Sequence, residues 1–473
     1  MKIVKTIKKI QRRLQLAMLD KASPESLRNI GEKKLLRMFQ NQGHASSALK
    51  KTMEHHRIEP KKITTIEHFT ALDFTMSKEN TFNKFPLHDL CRPGILDNLQ
   101  GVLTSSGHSG NFAFGLTTWR QAKVTPDLLD LALQSAFQTD QKKTLLINCL
   151  PMGVRFPSNN VTLAEVSVRE DMALALIQKF SPYFDQVIIV CDPLFLKLLI
   201  DETANWQIDW RKIHKHLIIG EETFGENYRN YIGKKININP DDPTTGIIGS
   251  SMGVGELGLN LCFESRETIS LRRTISNCPA LMEKLFGCRS ENDPRPMLFT
   301  YNPLSTYLEI NEPGEDGYGL LLASLLDKDC PIPLFRYQTG DEAKLLDTEE
   351  IMTAFQDAGL PTAILPKLPL ICIRGRDKDR LETGLHMSVV KDALYRDHHF
   401  ADQITGAFRI ERNNPDDLHV QLRRGIKTSD VPAIDIFSGD KIVVKAQNVR
   451  LWDYESFPYG KSIDYERKFT YLA

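Results

Sequence analysis

Between residues 100 and 375 the sequence alternates short apolar runs with amphipathic segments, and this pattern constrains the fold more than any other feature of the chain. The region between the first two apolar runs, residues 163–180, carries Val166, Met172, Leu174 and Ile177 at helical spacing, which predicts a crossover helix and a βαβ unit. We therefore expect an α/β fold with a large layered domain and a parallel-rich sheet. The apolar runs predict strands at residues 144–149, 186–191, 216–219, 246–250, 297–301 and 319–325.

The pattern changes after residue 377. A helix is predicted near residues 388–395, an antiparallel pair of strands around the turn-forming residues 413–417, and a further strand at 441–445. We place a boundary near Asp379, between a large domain at 85–378 and a small α+β domain at 379–473. Residues 1–84 are expected to form a helical segment that packs on the large domain or is part of it.

Composition excludes several classes of function. The chain has 473 residues with 60 Lys and Arg against 60 Asp and Glu, so no net charge would attract nucleic acid. No apolar run approaches the roughly 20 residues of a membrane-spanning helix. The eight cysteines are scattered without a Cys-x-x-Cys pair, which favours reduced thiols. We expect a soluble cytoplasmic protein and leave its oligomeric state open.

The first 19 residues have an amphipathic pattern of their own. Ile3, Ile7, Ile10, Leu14 and Met18 fall on one helical face, and lysines and arginines surround them. Two interpretations stay open for this helix. It packs on the body of the protein, or it contacts an anionic surface or a partner.

A hydroxyl- and glycine-rich stretch lies at residues 104–111. Glycines allow close approach of the backbone to a ligand, and Ser and Thr supply donors without bulk, which suits a segment that wraps a polyphosphate. The candidate ligand-binding residues of this stretch are Thr104, Ser105, Ser106, Gly107, Ser109 and Gly110.

Further candidate residues follow in order along the chain. Gly220 and Glu221 come directly after the apolar run at 216–219, where ligands bind in parallel sheets. Glu256 lies in the glycine-rich segment 253–258, and a single carboxylate suits Mg²⁺ held together with phosphate oxygens and waters. Residues 336–341 read Arg-Tyr-Gln-Thr-Gly-Asp and end in Asp341, whose two carboxylate oxygens can accept both hydroxyls of a ribose.

The order of these segments, continued by Arg376 in 375–379 and Lys461 in 458–461, resembles the acyl-adenylate-forming superfamily, especially its phenylacetate-CoA ligase-like branch. The resemblance runs from about residue 85 to the end of the chain. It implies that residues 104–111 hold the phosphates of ATP, that Gly220 and Glu221 lie beside the adenine, and that Glu256 binds Mg²⁺.

The same resemblance implies roles for the remaining candidates. Asp341 would bind the ribose and Arg376 the ribose or a phosphate. Asp379 would be the hinge of a mobile C-terminal domain, and Lys461 would stabilise charge on the α-phosphate. The implied catalytic residues are thus Glu256, Arg376 and Lys461. The implied reaction activates a small carboxylic acid with MgATP to an acyl adenylate, releases pyrophosphate and passes the acyl group to a thiol, with coenzyme A, a carrier protein and a protein cysteine as alternative acceptors.

Two alternatives stay open. His108, Asn111 and Gly255 depart from the family pattern, so a catalytically degenerate relative that binds a nucleotide or a partner is the first. The second is a serine hydrolase, because residues 107–111 nearly fit a nucleophile elbow around Ser109, with His386 or His398 as candidate bases. The sequence does not name the acid, although residues 148–157 are expected to line its pocket.

Overall fold

An eleven-stranded mixed sheet is the framework of the molecule. The computed structural model describes residues 2–104, 112–151, 153–290, 292–460 and 464–473. The strands are β1 (Leu99–Thr104), β2 (Phe114–Thr118), β3 (Thr144–Asn148), β4 (Thr162–Glu165), β5 (Gln186–Cys191), β6 (Lys215–Ile219), β7 (Ile248–Val254), β8 (Gly258–Phe263), β9 (Met297–Tyr301), β10 (Thr306–Asn311), β11 (Gly319–Leu325), β12 (Tyr337–Leu346), β13 (Leu370–Gly375), β14 (Ile404–Glu411), β15 (Asn414–Leu422), β16 (Ile436–Ser438), β17 (Lys441–Val444) and β18 (Val449–Trp452).

Helices cover the faces of this sheet and form the start of the chain. They are α1 (Lys2–Lys21), α2 (Pro24–Gln42), α3 (Ser47–His55), α4 (Ile66–Thr70), α5 (Leu87–Leu90), α6 (Trp119–Phe137), α7 (Glu170–Phe180), α8 (Pro193–Glu202), α9 (Glu226–Ile236), α10 (Arg266–Ser276), α11 (Pro279–Phe286), α12 (Thr348–Asp357), α13 (Met387–Ala393) and α14 (His398–Ala401).

The large sheet has a parallel half and an antiparallel half that meet at β7. Strands β4, β3, β5, β6 and β7 are parallel neighbours. From β7 the order continues antiparallel through β8, β9, β13, β12, β11 and β10. Every residue of β3 and β5 is buried, as expected for parallel strands covered on both faces. The predicted α/β fold class is therefore confirmed.

Several predicted elements coincide with observed ones, and two need correction. The strands predicted at 186–191, 297–301 and 319–325 are β5, β9 and β11. The helix predicted at 163–180 is wrong at its start, because Leu163 and Ala164 belong to β4 and pair with β3 as a parallel edge strand. The turn predicted at 413–417 is also too long, since β15 begins at Asn414, which pairs with Glu411 of β14.

Helix α2 packs on the antiparallel half of the sheet. Phe39 of α2 makes edge contacts with Phe69 and Phe335, with ring centroids 5.1 and 5.2 Å apart. Buried Arg336 donates from Nε to Glu309 at 2.5 Å and from Nη1 to the Leu72 carbonyl. Arg336, the first residue of the 336–341 motif, therefore connects the N-terminal segment to the sheet.

Residues after β13 form two small sheets of their own. One has the order β14-β15-β18, and the other pairs β16 with β17. This C-terminal region packs against α8 and α9, where Arg423 contacts Asp201 at 3.1 Å and the Tyr231 hydroxyl donates to Asp402 at 2.8 Å. The domain boundary near Asp379 stays a prediction.

Two further observations concern the whole described chain. None of its helices is long and apolar enough to cross a membrane. All eight cysteines have free thiols, and six of them are buried.

Candidate functional site

Glu256 lies in the tight turn between β7 and β8 and is buried. Its Oε1 accepts a hydrogen bond from the Tyr337 hydroxyl at 2.5 Å. Its Oε2 is also buried, and among the described residues it has no hydrogen-bond partner. A buried carboxylate oxygen without a partner is costly, so this atom is suited to bind a cation.

Tyr337 is the first residue of β12 and has no exposed surface. Burial, and then the adjacent Glu256 carboxylate, raise the pKa of its hydroxyl. The phenol therefore keeps its proton and serves as a donor that fixes the orientation of Glu256.

The antiparallel ribbon of β1 and β2 lies beside the Glu256 turn. Thr104, the last residue of β1, pairs with Phe114, the first residue of β2. Next to it, Gly115 approaches Gly255 so closely that a Cβ would overlap the Gly255 carbonyl. Both flanks of the 105–111 segment therefore lie near Glu256. The candidate residues Ser105, Ser106, Gly107, Ser109 and Gly110 lie outside the described residues.

Asp341 and Arg376 form an ion pair across two neighbouring strands. The register of β12 and β13 places Glu342 opposite Gly375, so the residues flanking this pair are brought together. Arg376 Nε donates to Asp341 Oδ1 at 3.3 Å, and the Asp341 amide donates to Thr339 Oγ1 at 3.2 Å. Burial raises the pKa of Asp341, and the Arg376 guanidinium opposes that shift.

Gly220 and Glu221 follow β6 at the carboxyl end of the parallel strands. The Gly220 amide donates to the Cys191 carbonyl at 2.9 Å. Lys468, from the C-terminal end of the chain, donates to the Glu221 carbonyl at 3.0 Å and contacts the Glu221 carboxylate at 3.0 Å. Its ammonium also lowers the pKa of Asp341, in addition to the larger effects of burial and Arg376. Lys468 thus contacts Glu221 directly and acts on Asp341 through its charge.

Sequence reasoning missed Lys468. It lies in a charged stretch near the chain end, where lysines are usually solvated, and no local spacing distinguishes it from Arg467 beside it. Its significance depends on a contact with a residue 247 positions away.

The segment around Asp379 is a short 3-10 turn, Asp377–Asp379, in which the Asp379 amide donates to the Arg376 carbonyl at 3.0 Å. Arg412, in the turn between β14 and β15, donates to the Lys378 carbonyl and, at 3.3 Å, to the Arg380 carbonyl. The predicted hinge therefore connects Arg376 directly to the C-terminal region.

Lys461 lies outside the described residues, but both of its flanks are placed. On one side Tyr459 packs on His419 of β15, with ring centroids 5.3 Å apart. On the other, Tyr465 makes an edge contact with Phe195 of α8 at 5.6 Å. The described residues on the two sides of 461–463 therefore contact the small sheet and α8.

The histidines considered for a hydrolase have other contacts. His386 Nδ1 accepts from the Ser388 amide at 3.1 Å, and Nε2 lies 3.1 Å from the Arg376 carbonyl, so both ring nitrogens are engaged. His398 packs against the ring of Tyr231. His386 thus caps α13 and supports the Arg376 turn.

The structure therefore brings the candidates together in three local groups. Glu256, Tyr337 and the end of the β1 and β2 ribbon form the first, Asp341 and Arg376 the second, and Glu221 and Lys468 the third. Tyr337 and Asp341 lie on one strand, four residues apart, with an irregularity in the pairing of β11 and β12 between them.

Comparison with known proteins gives a match in structure only. No family model and no curated protein sequence matches the chain. The fold is similar to that of 2-hydroxyisobutyryl-CoA ligase in the post-adenylation state with R3-HIB-AMP, with a TM-score of 0.63 and 11% identity over 95% of this chain and 89% of that one. The same ligase with 2-HIB-AMP and CoA in the thioesterification state gives a TM-score of 0.53 and 12% identity, again over 95% of this chain and 89% of that one.

This similarity defines the fold as one used by AMP-forming CoA ligases. It extends over nearly the whole chain, including the helical residues before 85, where the sequence itself carries little resemblance. At such low identity the comparison supports the architecture and leaves the chemistry to be argued from the residues.

Proposed function

We propose that this protein is an adenylate-forming ligase that activates a small carboxylic acid with MgATP and transfers the acyl group to a thiol. One observation carries the proposal: buried Asp341, paired with Arg376, lies on the strand whose first residue, Tyr337, orients Glu256, and the Lys468 ammonium, which contacts Glu221, also lowers the pKa of Asp341. This arrangement is found within the fold of an AMP-forming CoA ligase.

The nucleotide would be held by Asp341 and its neighbours. A buried carboxylate with two acceptor oxygens suits the two hydroxyls of a ribose. The Arg376 side chain is 41% exposed, so its guanidinium can pair with Asp341 and also contact a phosphate of the nucleotide. Gly220 and Glu221 would lie beside the base, and the residues at 104–111 would wrap the phosphates.

The residues around Glu256 fit a divalent cation. Its buried Oε2 has no partner among the described residues, and Tyr337 holds the other oxygen. The described part of the chain has no cluster of three or more His, Cys, Asp or Glu side chains that could hold a metal. One carboxylate would therefore share Mg²⁺ with phosphate oxygens and waters, as this ion prefers. When bound, it would neutralise negative charge on the phosphates.

The proposed reaction has two steps. In the first, a carboxylate oxygen of the substrate attacks the α-phosphorus of ATP, the bond to the β-phosphate oxygen breaks, and pyrophosphate leaves. Lys461 would stabilise the charge that develops on the α-phosphate. In the second, a thiol loses its proton and attacks the acyl carbon, and AMP leaves.

A movement about Asp379 would exchange the groups presented to the intermediate between these steps. For the acceptor, coenzyme A is favoured because the structurally similar 2-hydroxyisobutyryl-CoA ligase has been captured with 2-HIB-AMP and CoA. A carrier protein and a protein cysteine remain as alternatives. The phenylacetate-CoA ligase-like branch is proposed on the sequence motifs alone.

The test is carboxylate-dependent exchange of labelled pyrophosphate into ATP, with a panel of aromatic, aliphatic and amino-substituted acids. Lys461→Ala and Asp341→Ala should each abolish the exchange. Asp440→Ala, in the turn between β16 and β17, and Lys441→Ala, at the first residue of β17, are matched controls at exposed positions and should leave it unchanged.

The outcome separates the proposal from its alternatives. ATP binding without exchange for any acid would favour a catalytically degenerate relative that binds a nucleotide or a partner. Labelling of Ser109 by a fluorophosphonate, together with no binding of ATP, would instead identify a serine hydrolase. No ATP binding and no labelling would refute both nucleotide-based functions.

A further inference from the structure

Helix α1 is attached to the body of the protein through its basic side chains. Lys8 Nζ contacts Asp127 of α6 at 2.6 Å, and Lys9 Nζ donates to the Asp140 carbonyl at 2.6 Å. Arg12 is buried and donates from Nε to Asp140 Oδ2 at 3.2 Å. These contacts fix which face of α1 is directed inward.

The apolar face of α1 is consequently directed outward. Ile7, Ile10, Leu14 and Met18, here called the α1 stripe, are between 50% and 71% exposed. An amphipathic helix of a globular protein normally buries such a stripe against the core. Here the polar face makes the contacts, so the stripe is free to bind something outside the described chain.

The charge around the α1 stripe indicates what it binds. Helix α1 contains seven Lys and Arg residues and one Asp; Lys8 and Arg12 are paired with Asp127 and Asp140 of the body, and the other basic residues still outnumber the single Asp of the helix. Helical periodicity places exposed Arg13 and Lys21 next to the stripe, whereas Lys5 and Lys9 lie towards the opposite face. A partner must therefore offer an apolar interior beneath an anionic surface.

We propose that α1 docks a surface of anionic phospholipids, lying in the plane of the headgroups with its stripe inserted. Apolar side chains in the acyl boundary and cations at the headgroups are the two contributions that hold such helices. A second copy of the chain is the less suitable occupant, because pairing two stripes would bring two strongly cationic helices together. Insertion across the bilayer is not involved, since α1 is not apolar enough to span it.

The test is co-sedimentation of the full-length protein with vesicles of phosphatidylglycerol and phosphatidylcholine, compared with pure phosphatidylcholine. We expect binding to the anionic vesicles alone, and less binding at higher salt. A double variant, Arg13→Gln with Lys21→Gln, should weaken binding about 25-fold, since each basic residue near such a surface contributes about a factor of five. Ile10→Glu with Leu14→Glu should abolish it.

Ile364→Glu is the matched control, because Ile364 is an exposed isoleucine elsewhere on the surface. It should bind vesicles like the wild type, and thermal unfolding should show all variants to be folded. Absence of binding to anionic vesicles, or equal binding by the Ile10 and Leu14 variant, would refute the proposal. Light scattering that shows a dimer dissolved by Ile10→Glu with Leu14→Glu, without vesicle binding, would assign the stripe to a second copy and also refute it.

Discussion

The Tyr337 hydroxyl donates to Glu256 Oε1 at 2.5 Å, and both side chains are buried. This bond joins β12, which also carries Asp341, to the turn between β7 and β8. It holds one carboxylate oxygen and leaves Oε2 as the atom available to a cation.

Tyr337→Phe should therefore weaken the response to Mg²⁺. Loss of the hydroxyl leaves Glu256 Oε1 without its donor and lets the carboxylate rotate, and loss of such supporting contacts typically costs 10- to 100-fold in metal affinity. We expect the Mg²⁺ concentration for half-maximal pyrophosphate exchange to rise by about tenfold. Tyr318→Phe, at a buried tyrosine of a separate core, is the control. An equal change in both variants would contradict the assignment.

Asp341→Asn and Arg376→Gln should distinguish a ribose contact from a phosphate contact. Hydrogen bonds to charged groups contribute about 1.5–3 kcal/mol, which corresponds to roughly 10- to 100-fold in affinity. We expect Asp341→Asn to weaken binding of adenosine, AMP and ATP alike by about this factor, because all three carry the ribose. Calorimetric titration measures each affinity.

Arg376→Gln should reduce ATP affinity more than adenosine affinity if its guanidinium reaches a phosphate. Asp316→Asn is a suitable control, since Asp316 pairs with Arg374 at 2.5 Å on the same sheet. Unchanged adenosine affinity in Asp341→Asn would count against a ribose role.

Asp392 caps helix α9 from another part of the chain. Its carboxylate accepts from the Asn227 amide at 2.9 Å and the Tyr228 amide at 3.3 Å, while Gly225 at the N-cap leaves room for it. Asp392→Ala should lower the free energy of unfolding by about 1–2 kcal/mol, as loss of a cap does. Hydrogen exchange should increase at the first amides of α9.

Asp397→Ala is the control for this prediction. Asp397 caps α14 locally by accepting from the His399 and Phe400 amides. Its loss should cost similar stability without faster exchange at Asn227 and Tyr228. If the first amides of α9 in Asp392→Ala stay as protected from hydrogen exchange as in the wild type, Asp392 does not stabilise the start of this helix.

Asp192 should make stability depend on pH. Burial, opposed by the Phe195 amide and reinforced by the Glu222 carboxylate, raises the pKa of Asp192 to about 7. A carboxyl with a raised pKa in the folded state contributes stability at low pH that is lost as the pH rises towards 7. Because a tenfold change in an ionisation equilibrium corresponds to about 1.4 kcal/mol, the stability lost between about pH 5 and pH 7 is on the order of 2–3 kcal/mol.

Asp192→Asn should remove this dependence, because asparagine is neutral and still caps α8 through its side-chain oxygen. Urea unfolding at pH 5, 6, 7 and 8 measures the difference between the two proteins. If their stabilities change in parallel over this range, Asp192 does not titrate as expected.

The sequence predicted the elements whose signal is local. Strand β5 is a continuous apolar run, and the role that the 336–341 motif predicts for Asp341 stays a prediction. The motif did not distinguish residues that could bind a ligand from residues that stabilise the fold. Its first residue, Arg336, donates hydrogen bonds to the Leu72 carbonyl and to Glu309. Its position in the motif carries no information about a partner more than 260 residues earlier.

Contacts between distant segments could not be predicted in this way. Lys468 contacts Glu221, and Asp392 contacts α9, through packing of the C-terminal region on segments more than 160 residues earlier in the chain. The amphipathic pattern of α1 predicted a helix correctly, but its orientation depends on Asp127 and Asp140, which are distant in the chain. The periodicity of the sequence shows that α1 has an apolar face, but it does not show whether that face is directed inward or outward.

The change of strand direction at β7 determines where this chain can accept inserted residues. In the parallel half each connection must cross the sheet, and such long connections accept extra residues without moving the strands they join. The reversal from β7 into β8 is instead a tight turn, and Glu256 is in it. Insertions in the connections of the parallel half can enlarge or reshape the surface. One added residue in the turn between β7 and β8 would instead shift the pairing of these two strands and displace the Glu256 carboxylate.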